Sequence, residues 1–255
     1  MLFALSIGLA LFAVALAVPV PIAFARAAWP SGAPVRALLL WQAIGLAGGF
    51  SMIGAFVALG FGILPASRLG GGIAFGAALA LAGYLLGHLV ATVVIVTRQR
   101  RRHHALLDLL TSPHPTRAQT RVLDDSAPVA YCLPRGVGSL TVLSQGLLDR
   151  LSPAELSAVI AHERAHVEQR HDLLLLAFRA WRSALPWFPI AVRAESEVAV
   201  LVEILADDRA RRTASDEVLA RAILAVADAR GDGLIDLDHR RRSGRSADRV
   251  RRLVG

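Results

Sequence analysis

The residues best placed to do chemistry are His162-Glu163-Arg164-Ala165-His166. Four residues of α-helix turn through roughly 400°, so both imidazoles project from one face about one turn apart. That spacing suits two ligands of a single Zn²⁺ at ~2.0–2.1 Å each. Glu163, beside the first ligand, reaches a water at the metal without being a ligand, which is where a general base belongs. With 8 His and 7 Glu in 255 residues, the pattern arises by chance roughly 0.007 times per chain. The alternative is a solvated helix whose two His and Glu bind nothing.

Two imidazoles and a water leave one protein ligand to find. Glu203-Ile-Leu-Ala-Asp207 puts two carboxylates on one helical face. Val202, Ile204 and Leu205 surround Glu203, so its helix is expected to be largely buried, and a charge there needs a partner. Glu203 is the expected third ligand of a His₂Glu site. Asp207 is expected to accept the other N–H of a ligating imidazole and fix its tautomer. Glu195 and Glu197 are rival ligands, but neither has an Asp four residues later. His171 would lie about 140° around a continued helix from His166, a poor position for a third ligand. It could stabilise a transition-state oxyanion or end the helix as a cation. Tyr131 and Arg209 are comparable candidates for such a role. Cys132 is the sole cysteine. It excludes a disulfide framework and a Cys-rich zinc module, and reads as a buried apolar residue.

Local signals place these residues on elements. Ser152-Pro153-Ala154-Glu155 combines a capping Ser, a Pro at the first helical position and a Glu that can close a capping box. A helix is expected from Pro153 to about Arg170. Further helices are expected at about Ala194–Thr213, Ser215–Ala229 and Ser246–Leu253. Val129–Leu133 and Ser139–Ser144 predict a small hairpin around Pro134-Arg-Gly136. Ala105–Leu110 reads as helix, broken at Ser112–Pro115 by two prolines.

The first 97 residues are a different material. Hydrophobic residues make up 55% of the chain, mean hydropathy is +0.51, and the net charge is +8. No acid occurs before Asp108, and only Arg26, Arg36 and Arg68 are charged before Arg98. Three apolar stretches, about 2–24, 37–64 and 70–97, each exceed the roughly 20 residues that span a bilayer core. Gly45/Gly49, Gly72/Gly76 and Gly83/Gly87 allow close helix packing. Gln42 and His88 are expected to hydrogen-bond within the bundle or to sit near an interface. The Arg98-Gln-Arg-Arg-Arg-His-His104 cluster predicts a cytosolic end for the third span, hence an external N-terminus and a cytosolic remainder. The expected division is a transmembrane region, 1–97, and a cytosolic domain, 98–255. The Arg240–Arg252 stretch is punctuated by Asp248, with Asp236 and Asp238 just before it. It is expected to serve membrane-surface or intradomain pairing, with no direct nucleic-acid partner.

His162-Glu163-x-x-His166 with Glu203-x-x-x-Asp207 resembles the integral-membrane gluzincin zinc metallopeptidases of the beta-lactam-sensor (BlaR/MecR) type and their short actinobacterial relatives. The HtpX and CAAX-prenyl protease group shares the motif pair and stands second. Val142-Leu-Ser-Gln-Gly-Leu-Leu148 and Leu151-Ser-Pro-Ala-Glu-Leu156 also look like the first group. The resemblance covers about Val129 to Leu253 and the preceding spans. It implies Zn²⁺ on His162, His166 and Glu203, with Glu163 as catalytic base. The implied fold is mainly α: a three-helix transmembrane bundle plus a cytosolic zincin-like metallopeptidase domain with a small hairpin or sheet. The implied activity is endopeptidase cleavage of a peptide or protein at the lipid bilayer. In this type the substrate is a cytosolic winged-helix repressor of the BlaI kind. The sensors' extracellular penicillin-binding domain has no counterpart here, so antibiotic sensing is not expected.

Only 37 residues separate His166 from Glu203, too few for two crossings. The apolar part, Asp172–Val192, is broken by Arg179, Arg182, Pro186 and Pro189. It is expected to lie on the membrane face or against the catalytic domain. The HtpX group carries longer paired spans here, which favours the sensor type. The alternatives are an HtpX-like quality-control protease and an idle membrane scaffold or receptor; the intact Glu163 argues against idleness.

Overall fold

The structure is a computed structural model, described for residues 1–27, 29–115, 117–135, 138–229 and 249–254. It is mainly helical with one small sheet. Contacts divide the chain into two units. One is Met1–Thr97 with Leu173–Leu201; the other is Arg98–Asp172 with the described residues from Val202 onward. The contiguous division expected from sequence, 1–97 and 98–255, leaves Leu173–Leu201 in the other group.

In the first unit, α1 (Leu2–Ala17) and α2 (Pro19–Arg26) are followed by α3 (Pro34–Ile63) and by α4, which runs from Arg68 to Leu110. Three helical stretches, Leu2–Arg26, Pro34–Ile63 and Arg68–Leu110, are long and apolar enough to cross a membrane. The expected separate helix at Ala105–Leu110 is instead the continuation of α4, because the intervening Arg-rich cluster is a good helix former. Ser6 donates to the Ala55 carbonyl at 2.9 Å, and Phe61 packs edge-on to Phe75.

Two helices follow α4 into this unit, α7 (His171–Ala184) and the first part of α8 (Pro189–Ala210). Gln42 donates to the Leu174 carbonyl at 3.2 Å, and Tyr84 donates to the Ala184 carbonyl. His88 Nδ1 lies 2.9 Å from Ser183 Oγ. These bonds satisfy backbone and hydroxyl groups that apolar surroundings would penalise. Trp181 fills the notch left by Gly45, where a Cβ would meet its ring at 3.1 Å. Gln42 and His88, expected to bond within the three-span bundle or to sit near an interface, find their partners instead on α7, which groups with the apolar helices.

The second unit carries a four-stranded sheet in the order β1-β2-β4-β3, with β1 Thr111–Pro113, β2 Thr120–Leu123, β3 Ala130–Arg135 and β4 Gly138–Ser144. β3 and β4 form the predicted antiparallel hairpin, with Tyr131 opposite Val142. β2 runs parallel to β4, and β1 antiparallel to β2. Ser144 caps the short α5 (Gln145–Leu148). α6 (Pro153–Glu168) has the full capping box between Ser152 and Glu155, worth ~1 kcal/mol. Its Leu156 and Val159 pack with Leu143, Leu147 and Leu151, and with Ala222 of α9 (Asp216–Ala229). Ala158 packs on the other side with Ala210, Leu219 and Leu253. Residues 249–254 are helical. The remainder of the helix expected at Ser246–Leu253, and most of the Arg240–Arg252 stretch, lie outside the described residues.

Candidate metal centre

α6 presents His162 and His166 on one face, as the four-residue spacing requires. Their Nε2 atoms approach to 3.1 Å. α8 brings Glu203 to them: Oε2 is 3.4 Å from His162 Nε2, and Oε1 is 3.6 Å from His166 Nε2. Among the described residues, these three form a group whose ligand atoms all lie within 4.8 Å of one another. Donors ~2.0–2.1 Å from one tetrahedral ion stand roughly 3.3 Å apart. The triangle of 3.1, 3.4 and 3.6 Å therefore fits one zinc-sized ion on two imidazoles and a carboxylate.

The carboxylate behind this group is Asp207. It is 2% exposed, and its Oδ1 is 2.9 Å from His162 Nδ1. The contact is an ion pair whose alignment falls short of a regular hydrogen bond. Both Asp207 oxygens instead accept from Arg249, at 2.6 Å each. Arg249 also reaches Glu203 Oε2 at 3.1 Å. Sequence reasoning left Arg249 inside an undifferentiated basic stretch. No spacing marks it, because its partners lie more than forty residues back.

Charge follows from these contacts. Burial opposes protonation of His162, but Asp207 and Glu203 outweigh it and lift its pKa to about 9. Burial and the neighbouring His162 charge lower His166 to about 4. Near neutral pH the pair therefore carries one positive charge, on His162, with His166 neutral. Burial resists ionisation of Glu203, yet His162 and Arg249 draw its carboxyl down to about 2. Asp207 is likewise held below the usual carboxylate range, burial being overcome by Arg249 and His162.

The other candidates are not among the three convergent donors. Glu163 sits on α6, half-buried, with its negative charge felt at Arg249. Glu195 pairs with Arg182 at 3.0 Å and with Arg179 at 3.8 Å, and Glu197 with Arg193 at 3.8 Å. Arg209 pairs with Glu168 at 3.1 Å. Asp208 accepts two bonds from Arg252, at 2.6 and 3.0 Å, so part of the basic stretch does make intradomain pairs. Cys132 contacts Thr141 Oγ1 at 3.3 Å, and burial raises its pKa. His171 is not on a continuation of α6. That helix ends at Glu168 and Arg170 takes φ 50°, which turns His171 back so that its Nδ1 lies 3.0 Å from His166 Nδ1.

Comparison with protein-family models matches residues 96–229, more than half of the chain, to Peptidase family M48. The chain belongs to peptidase family M48. Family M48 peptidases are metal-dependent, generally with zinc, which agrees with the donor set assembled above. Two curated relatives are "Protease HtpX homolog 2" of Methanosarcina mazei, 29% identical over 99 residues, and its namesake in Methanosarcina acetivorans, 27% identical over 99 residues. Each alignment covers 38% of this chain and 33% of the relative, so the match spans about a third of the relatives' length. No solved structure matches the chain. The membrane-type M48 assignment stands, and the relatives carry the name of the group placed second by sequence; nothing in the comparisons singles out the beta-lactam-sensor type.

Proposed function

We propose that this M48 protein is a membrane-embedded zinc metalloendopeptidase with its site on the cytosolic side. The observation that carries the reading is the convergence of His162 Nε2, His166 Nε2 and the Glu203 carboxylate. Zn²⁺ held there would polarise a substrate carbonyl and acidify an attacking water. Glu163 takes the proton from that water and delivers it to the leaving amine. Asp207, clamped by Arg249, steadies His162 from behind. Among the described residues β3 is an edge strand, and that edge can pair with an extended peptide by strand addition.

Two substrate classes fit. An HtpX-like quality-control role, clipping damaged membrane proteins, is favoured by the relatives' name. Cleavage of a cytosolic BlaI-like repressor is favoured by the Val142–Leu156 resemblance and by the short connection between the motifs. Proteomic comparison of cells carrying wild type and Glu163→Gln separates them. Fragments of many misfolded membrane proteins point to quality control, and one repressor fragment to signalling. No Glu163-dependent fragment at all counts against the peptidase reading. Sidedness is tested by reporters after Arg102, expected cytosolic, and between Leu64 and Ser67, expected external. An external signal after Arg102 overturns the repressor role.

A further inference from the structure

The turn after α6 holds a non-glycine residue, Arg170, at φ 50°, a conformation L side chains enter only at a cost. What the turn achieves is the return of His171 to His166. His171 is 1% exposed, and its ring stands perpendicular to that of His166, at 89° with centroids 4.8 Å apart. Both of its ring nitrogens are engaged. Nδ1 is 3.0 Å from His166 Nδ1, and Nε2 is 2.8 Å from Gln169 Oε1.

Donor and acceptor chemistry gives this chain a direction. An amide oxygen can only accept, so His171 Nε2–H donates to Gln169. A neutral imidazole with its proton on Nε2 offers Nδ1 as acceptor. His166 must then donate from Nδ1, which leaves its lone pair on Nε2. That is the nitrogen facing His162 Nε2 and Glu203. We propose that Gln169 and His171 form a two-step hydrogen-bond relay that fixes His166 in its Nδ1–H tautomer and so presents the Nε2 lone pair to the metal. His171 is thus a positioning residue. With both nitrogens engaged and the ring buried, it has no N–H left for a substrate oxyanion.

The relay rests on the reading of His166 as a zinc ligand, and the experiment distinguishes the two. Zinc affinity of the full chain in detergent is measured by competition with a chromophoric chelator, at high salt so that added surface charges are screened. His171→Phe keeps a buried ring but removes the acceptor; affinity is expected to fall about 10–100-fold, the usual cost of losing such a partner. Gln169 is exposed, so its variants leave the core untouched. Gln169→Glu keeps the accepting oxygen and is expected to bind zinc as wild type does. Gln169→Lys offers only a donor, reverses the relay, and is expected to lose about 10-fold. Equal affinities for Gln169→Glu and Gln169→Lys overturn the relay, whether or not His171→Phe folds. Unchanged affinity in a folded His171→Phe does the same, with the metal site left standing. A wild type that binds no zinc overturns the metal site, and the relay with it.

Discussion

Arg249 grips both carboxylate oxygens of Asp207 at 2.6 Å and sets a third guanidinium nitrogen 3.1 Å from Glu203 Oε2. One side chain near the end of the chain thus braces the proposed metal ligand and the carboxylate behind it. Removing one partner of a buried pair strands the other charge, at a cost of roughly 3 kcal/mol or more. Arg249→Met is expected to lower stability by about that amount in chemical denaturation. Arg249→Lys is expected to recover little, because an ammonium cannot match the planar two-point contact. An unchanged unfolding midpoint for Arg249→Met would show that the clamp contributes nothing.

Glu163 and the histidines separate base from ligand. Purified protein is expected to hold about one zinc per chain. His162→Ala with His166→Ala is expected to abolish that content, whereas Glu163→Gln keeps the metal and loses turnover. Metal analysis beside a peptide-cleavage assay checks both. Full zinc in the double His variant would displace the site from α6.

The two carboxylates of α8 are expected to differ in severity. Glu203→Gln would remove the proposed third ligand, so it is expected to weaken zinc binding strongly and to abolish cleavage. Asp207→Asn would remove the charge paired with His162 Nδ1, and is expected to cost about 10–100-fold, recoverable at high zinc. Glu195→Gln and Glu197→Gln, already satisfied by Arg179, Arg182 and Arg193, are expected to leave metal content unchanged. Zinc loss in either of these would reassign the third ligand.

The metal-free protein is expected to show a stability optimum near pH 6.5. His162 is raised to about 9, so its contribution is complete below about 6.5, the unfolded value, and is lost as pH climbs towards 9. His166 is lowered to about 4, so its contribution is complete above about 6.5 and is lost as pH falls towards 4. Each limb should slope by on the order of 1 kcal/mol per pH unit. Zinc would replace the extra proton of His162, so the alkaline limb should vanish in the loaded protein and one proton should appear on loading near pH 7. Urea midpoints between pH 4.5 and 9, with and without zinc, test this. A metal-free profile flat across that range would mean that the two rings are not shifted apart.

Local interactions were written plainly along the chain. The capping box of Ser152 and Glu155 closes over three residues, and His162 and His166 must share a face if α6 forms at all. The β3–β4 hairpin and the long apolar helices follow from short-range periodicity and length in the same way. The pairing of β1 and β2 was hidden because three- and four-residue strands carry almost no periodic signal and two prolines sit where β1 ends.

Other features were decided only by the tertiary structure. Leu173–Leu201 clusters with the apolar helices because Gln42, Tyr84 and His88 bond to α7 from 95 to 132 residues away. The turn of His171 onto His166 depends on Arg170 accepting a left-handed conformation, with no glycine to announce it. Arg249 finds Asp207 across 42 residues. Nothing in a run of arginines says which one will be buried beside a carboxylate, because that choice belongs to the packing of α6, α8 and the terminal helix. The amino-acid order thus marked the two motifs proposed to hold zinc, since helical spacing is a local property. How those residues are oriented and charged rests on long-range contacts, which only the folded chain brings together.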